Sequence, residues 1–215
     1  MMMTRARPSF LCGVILGTFA AGASASDLKG LDADGPAASL ADKLMLFGRL
    51  VGDWELDYAF YPKDGPKVTT KGEWHWGWAL EGRAVVDVWI CPSRVERRKA
   101  GAPPGEWGTT VRYYDPKIDA WHVVFVGPAY NNLNVFTARQ VGQEIVMEGD
   151  GRDGLQSRWI FSDIMPASFH WRAVSSQDNG KTWVLREEMQ VRRAGTSDRK
   201  AETDPSGPGV ALRSH

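Results

Sequence analysis

The chain has 215 residues, with 26 lysines and arginines against 26 aspartates and glutamates, ten tryptophans and two cysteines. A formal charge of zero gives no basic stripe for nucleic acid, and two cysteines cannot build a disulfide-stapled scaffold. Stability must come from an apolar core, which a chain of this length is able to bury.

Arg5 and Arg7, the apolar run from Leu11 to Ala21 and the small residues Ala23, Ser24 and Ala25 read as an export signal. The run is too short to span a bilayer, so cleavage after Ala25 is expected and an uncleaved anchor is the competing reading. The mature chain then has no transmembrane anchor and ends in the periplasm or outside the cell. Cys12 is followed, not preceded, by the apolar run, so it is no lipobox cysteine. It leaves with the signal, and Cys91 remains alone.

Residues 26–37 read as a flexible lead-in. Ser39 is placed to cap a helix that starts near Leu40 and carries Leu40, Leu44, Leu46, Phe47 and Leu50, ending at Val51-Gly52. From Asp53 the period changes to two, as Trp54, Leu56, Tyr58 and Phe60 alternate with polar or small residues. In Glu73–Leu80, Trp74, Trp76 and Trp78 occupy one side of a strand. Further strands are predicted near residues 68–80, 83–91, 107–114, 120–126, 133–140, 143–148, 157–163, 168–174 and 182–192, separated by turn pairs such as Val141-Gly142 and Asn179-Gly180. About ten short strands after one N-terminal helix predict an all-β, antiparallel up-and-down barrel over residues 38–193. Residues 194–215, rich in Gly, Ser and Pro, read as a disordered tail.

Three segments carry a resemblance. Leu50-Val51-Gly52-Asp53-Trp54 follows a G-x-W entry into the first strand. Arg112-Tyr113-Tyr114-Asp115-Pro116 is followed by Trp121. Ser175 to Trp183 reads S-S-Q-D-N-G-K-T-W. In their order and spacing these resemble the calycin-type, lipocalin-like β-barrels, and most closely the DUF1579-like family. The resemblance implies a barrel with an internal pocket and leaves the activity open. Glycines that mark haem-binding, nitrobindin-like relatives are missing after Trp54, which speaks against haem.

Trp54, Tyr58, Trp74, Trp76, Trp78, Trp121, Trp159, Trp171 and Trp183 are the expected aromatic lining of a cavity for a hydrophobic or amphiphilic small molecule, with plain core filling as the competing reading. Glu187 shares its parity with Trp183, Leu185, Met189 and Val191, so it is expected to need a partner, with Arg83 or Arg112 in reach and Tyr114 beside Arg112. Its alternatives are a ligand anchor, a general acid or base, or a rim salt bridge. An outward Asp87 is favoured over an inward Arg83–Asp87 pair. His75 and His170 are expected to face solvent and His122 the interior. With no H-x-H or H-x-x-x-H spacing, no metal or cofactor is expected. Cys91 reads as a buried thiol, with a nucleophile as the alternative.

The reading is an exported barrel that binds a small hydrophobic or amphiphilic ligand. A barrel enzyme using Glu187 in acid/base chemistry, or a partner-binding protein without ligand, are the alternatives.

Overall fold

A computed structural model of the protein describes residues 31–102, 105–151 and 154–195. The expected leader of residues 1–25 lies outside the described residues, as does the tail beyond residue 195. The two-residue strand β1 (Asp32–Ala33) is followed by a 3-10 turn at Ala38–Leu40 and the helix α1 (Ala41–Gly48). Ten strands then run in sequence: β2 (Gly52–Phe60), β3 (Val68–Ala79), β4 (Ala84–Cys91), β5 (Glu106–Asp115), β6 (Ala120–Gly127), β7 (Asn132–Val141), β8 (Glu144–Asp150), β9 (Gln156–Met165), β10 (Ser168–Ser176) and β11 (Val184–Arg193). Each pairs antiparallel with the next, and β11 pairs with β2, which closes the ring. The fold is therefore a closed, ten-stranded, up-and-down antiparallel barrel, and every predicted strand is present with ends shifted by at most two residues.

The described part of the expected lead-in is pinned. Asp32 and Ala33 pair with Ala79 and Trp78 of β3, and the Ala37 amide donates to the Gly82 carbonyl. The helix forms where its apolar spacing predicts, but it starts one residue late and ends at Gly48 without a side-chain cap. Ser39 falls in the 3-10 turn instead of capping the helix. Leu44, Phe47 and Leu50 are fully buried, so α1 covers one end of the barrel with its apolar stripe.

The chain leaves α1 through Gly52, at φ +127°, a backbone conformation that side-chain-bearing residues rarely adopt. A Cβ there would sit 2.1 Å from the Arg193 guanidinium. Arg193, from the last strand, donates to the carbonyls of Val51 (2.7 Å), Arg49 (3.3 Å) and Pro166 (3.1 Å) and stacks 4.0 Å over the Trp54 ring. Trp54 in turn donates its indole N–H to the Leu50 carbonyl at 2.7 Å. The G-x-W segment is thus the joint that ties helix, first strand and last strand together. Sequence reasoning missed Arg193, since nothing local marks one arginine among several near the end of β11.

Trp74, Trp76 and Trp78 face inward, together with Trp121, Phe136, Phe161, Trp171 and Met189. Their rings form one continuous cluster. Phe47 of α1 meets Trp121 at 5.0 Å and Phe161 at 6.0 Å, and Trp74 meets Trp76 at 4.9 Å. At this end of the barrel, core filling is the outcome.

Gly48 is where α1 comes closest to the sheet: a Cβ there would lie 2.3 Å from the Trp78 ring. Gly48→Val is expected to lower stability by about 1–3 kcal/mol through overpacking, despite the better helix propensity of valine. A urea titration followed by tryptophan fluorescence measures this, and an unchanged midpoint would contradict such close docking.

Candidate functional site

The barrel interior holds buried polar side chains toward both of its ends. At the helix end, Asp87 and Arg112 are buried and joined by an ion pair. Thr110 donates its hydroxyl to the Asp87 carboxylate at 3.3 Å. The guanidinium lies 4.2 Å from the Trp76 ring and 5.2 Å from the Phe47 ring, so aromatic faces replace much of the water it has lost. Its Nε and Nη2 atoms have no hydrogen-bond acceptor among the described residues. Burial pushes Asp87 up and Arg112 down, each toward its neutral form, while their attraction opposes both shifts.

This corrects the expected outward Asp87. The uniform face of β4, carrying Val86 and Val88, is the outer one, and Val85, Asp87 and Trp89 point in. Register decides it: Trp76 pairs with Asp87, so the inward tryptophans of β3 carry Asp87 inward with them. Arg83 is exposed beside Glu81 at 3.8 Å and takes no part.

Replacing one member of such a pair strands the other in the core. Asp87→Ala is expected to cost about 3–5 kcal/mol, and Asp87→Leu combined with Arg112→Met far less. Chemical denaturation of the single and double variants checks this; equal losses in both would show that the charge pairing is not what matters.

The opposite end carries the 3-10 turns Glu96–Arg98 and Pro128–Tyr130 in place of an α-helix. Here Tyr58 of β2 and Glu187 of β11 share the inner wall, near enough for each to act on the other's ionisation. Trp89 stands 5.8 Å from the Tyr58 ring and donates its indole N–H to the Met189 sulfur at 3.3 Å. Trp159 continues the wall, 5.3 Å from Phe125 and 5.4 Å from Trp171. Cys91 and Tyr130 lie close enough to Tyr58 to act on its ionisation. Glu106 fixes the turn that carries Tyr130, accepting from the amides of Ala129 (2.9 Å) and Tyr130 (3.2 Å). Phe60, Val68 and Val184 are exposed at the ends of β2, β3 and β11 and give this mouth an apolar rim. Beside it, between the β2–β3 and β10–β11 turns, runs a groove of about 440 Å³ lined by Tyr61, Pro62, Thr182 and Leu185 among others.

Burial pushes the Glu187 carboxyl above its ordinary range, and the nearby Tyr58 hydroxyl only partly offsets this. Burial, reinforced by the nearby Glu187, also raises the Tyr58 phenol, and pushes the Cys91 thiol up to about 12. Cys91 is thus a protonated thiol at neutral pH, not an activated nucleophile. Burial thus favours the neutral forms of the hydrogen-bonding groups on this inner surface, which are set in aromatic and thioether walls.

The expected site residues separate accordingly. Tyr58, Glu187 and Trp159 belong to the open end, where Trp89 and Met189 join them; alternation along β4 and β11 carries the signal for those two. Trp54, Trp74, Trp76, Trp78, Trp121 and Trp171 pack the core and the helix end. Arg112 is paired with Asp87 and is not the partner of Glu187. Tyr114 sits at the helix-side rim and bonds Asp119, which also holds Lys43 at 2.7 Å. Trp183 precedes β11, donates to the Gly180 carbonyl at 3.1 Å and lies under Arg158 at 4.1 Å, away from the interior. It was expected inside because strand parity was extended through a register shift at Ala173/Val174. His122 likewise faces outward, stacked on Tyr113 at 5.0 Å and 3.2 Å from Asp115, because Trp121 and Val123 take the inner positions. Among the described residues no cluster of three or more metal-ligating side chains occurs, and no helix is long and apolar enough to cross a membrane.

A carboxyl raised in the folded state is protonated there at a pH where the unfolded chain, near the ordinary value of 4.5, has already ionised. The stability it contributes is full below that value and is lost as pH rises through the folded value. Glu187→Gln is expected to flatten this alkaline-side decline and to be the more stable protein at neutral pH. Urea midpoints of both proteins across pH measure it, and parallel curves would contradict a buried, protonated Glu187.

With α1 covering one end, the chain is a closed, ten-stranded antiparallel β-barrel. No protein-family model matches the chain, and no curated protein does. Among solved structures it is similar to Rv2717c from M. tuberculosis, at 13% identity and a TM-score of 0.47, over 71% of this chain and 98% of that one. It is also similar to the S-type phycobiliprotein lyase CPES from Guillardia theta, at 10% identity and a TM-score of 0.47, over 69% of this chain and 90% of that one.

Proposed function

We propose that the protein is an exported, DUF1579-like barrel that binds a small hydrophobic or amphiphilic molecule through its open end. The Tyr58–Glu187 pair carries this reading. A half-buried carboxyl on an apolar wall, with a phenol nearby and without a cation beside it, is costly as a purely structural element. It gains a role as a hydrogen-bonding anchor for a ligand head group, while Trp89, Trp159 and Met189 cover the apolar body. Burial disfavours the charged form of the anchor and no cation stands beside it, so a neutral head group suits it better than an anionic one.

An acid/base enzyme at the same mouth is supported by the raised Glu187 alone. The electrostatic partners such an enzyme would draw on, Arg112 and Tyr114, sit at the other end with partners of their own.

The neutral aromatic amine N-phenylnaphthylamine is a suitable probe. It is expected to brighten on binding and to be displaced by long-chain alcohols or monoacylglycerols in preference to fatty-acid anions at neutral pH. Tyr58→Phe and Trp89→Ala are each expected to weaken probe binding by about tenfold, the scale of one hydrogen bond or one lost aromatic wall. Absence of probe binding, or binding by both variants as tight as that of the unaltered protein, would reject the site.

A further inference from the structure

We infer that the rim of the open end, on the side of the β4–β5 and β6–β7 connections, docks on an anionic lipid bilayer. Four large apolar side chains stand out there. Val95 is 65% exposed and Leu133 66%, and Trp107 and Tyr130 are each 48% exposed. Val95 precedes the 3-10 turn Glu96–Arg98, Trp107 lies near the start of β5, Tyr130 closes the turn Pro128–Tyr130 and Leu133 lies near the start of β7. A single exposed apolar residue is ordinary, whereas four on neighbouring connections make a contact surface. Tryptophan and tyrosine, each with an apolar body and a polar tip, suit the headgroup level of a bilayer.

The surface is held in place from beneath. The carboxylate of Glu106, only 3% exposed, accepts from the amides of Trp107 (3.1 Å), Ala129 (2.9 Å) and Tyr130 (3.2 Å), so one buried group anchors both aromatic residues. Arg97 donates to the carbonyls of Pro92 (2.9 Å) and Glu106 (2.8 Å) and lies 5.9 Å over the Trp107 ring. Its charge therefore stays beside an exposed aromatic face. Cations next to projecting apolar groups are the arrangement by which proteins lie on a membrane surface without crossing it.

Charge selects the occupant. In this connection Arg94 pairs with Glu73 at 2.6 Å and Lys99 with Glu96 at 2.7 Å, and the Glu106 carboxylate is spent on backbone amides. Arg97 and Arg98 have no carboxylate at ion-pair distance among the described residues, so the patch presents positive charge. Exposed apolar residues also occur at the helix end, Leu31, Met45 and Leu80 among them. There Lys43 is paired with Asp119 and Arg83 with Glu81, and the further cations Arg49, Lys117 and Arg139 are matched in number by Asp32, Asp34 and Asp42. An anionic surface thus distinguishes the two ends, though both expose apolar side chains. Side chains standing out at turns and strand ends suit a deformable bilayer, which takes each one separately, better than an acidic peptide, which needs a groove to cover its own apolar groups. The inference concerns the outside of the mouth and stands whether or not a molecule enters the barrel.

Co-sedimentation of the full chain with vesicles is the test, with far-UV circular dichroism as the control for folding. The chain is expected to bind mixed phosphatidylglycerol–phosphatidylcholine vesicles about tenfold or more tightly than phosphatidylcholine alone, at about fivefold per unpaired basic residue, and to be released by high salt. Arg98→Glu and Val95→Glu are each expected to weaken binding about tenfold or more, while Lys117→Glu and Leu80→Ser at the helix end leave it unchanged. Should Val95→Glu fail to fold, Arg98→Gln removes one exposed charge and is expected to weaken binding about fivefold. Equal binding to both vesicle types, unchanged binding by the folded rim variants, or an equal loss in the helix-end variants would each overturn the inference. Retention on polyglutamate without vesicle binding would overturn it in favour of an acidic protein partner.

Discussion

A guanidinium held out of water decides what the inside of this barrel can be. Arg112 is fully buried, and it is tolerable there only because Asp87 supplies the opposite charge and Trp76 and Phe47 supply aromatic faces. Each of these partners comes from a different element: β4, β3 and α1. The pair therefore fixes the helix against the sheet and the register of β3, β4 and β5 against one another. A slip of one residue would turn Asp87 to solvent and leave Arg112 unpaired in the core.

The same arrangement settles where an interior site is able to form. With Phe47 wedged against Trp121 and Phe161, and Gly48 drawn onto Trp78, the helix end is packed with side chains. The opposite end has 3-10 turns in place of an α-helix and an apolar rim, and burial pushes Glu187 and Cys91 toward their neutral forms. One barrel thus keeps an ion pair under the helix and, at the other end, a carboxyl whose charged form burial disfavours, which suits molecules that carry little charge themselves.

Much of the fold was legible in the sequence because alternation is local. Trp54, Leu56 and Tyr58, or Trp74, Trp76 and Trp78, announce strands without reference to anything distant. Facing was harder. On β4 both sides contain valines, and only pairing with β3 shows that Asp87 follows the tryptophans inward. The site was half legible for the same reason. Glu187 and Tyr58 stand out on their own strands, yet their meeting depends on β11 closing onto β2, a contact between residues more than a hundred positions apart. Trp183 misled because the register shift opposite Ala173/Val174 breaks the alternation within β11, between Leu185 and Glu187. Arg193 stayed hidden because its work, holding the carbonyls of Arg49, Val51 and Pro166, exists only in three dimensions.

The chain carries ten tryptophans, and each gives its own indole N–H resonance, so nuclear magnetic resonance can report on both ends of the barrel at once. On titration with N-phenylnaphthylamine, the signals of Trp89 and Trp159 are predicted to move while those of Trp54, Trp76 and Trp121 stay in place. Movement of Trp76 and Trp121 with Trp89 unaffected would place the ligand under the helix and contradict the division of the barrel into a sealed and an open end.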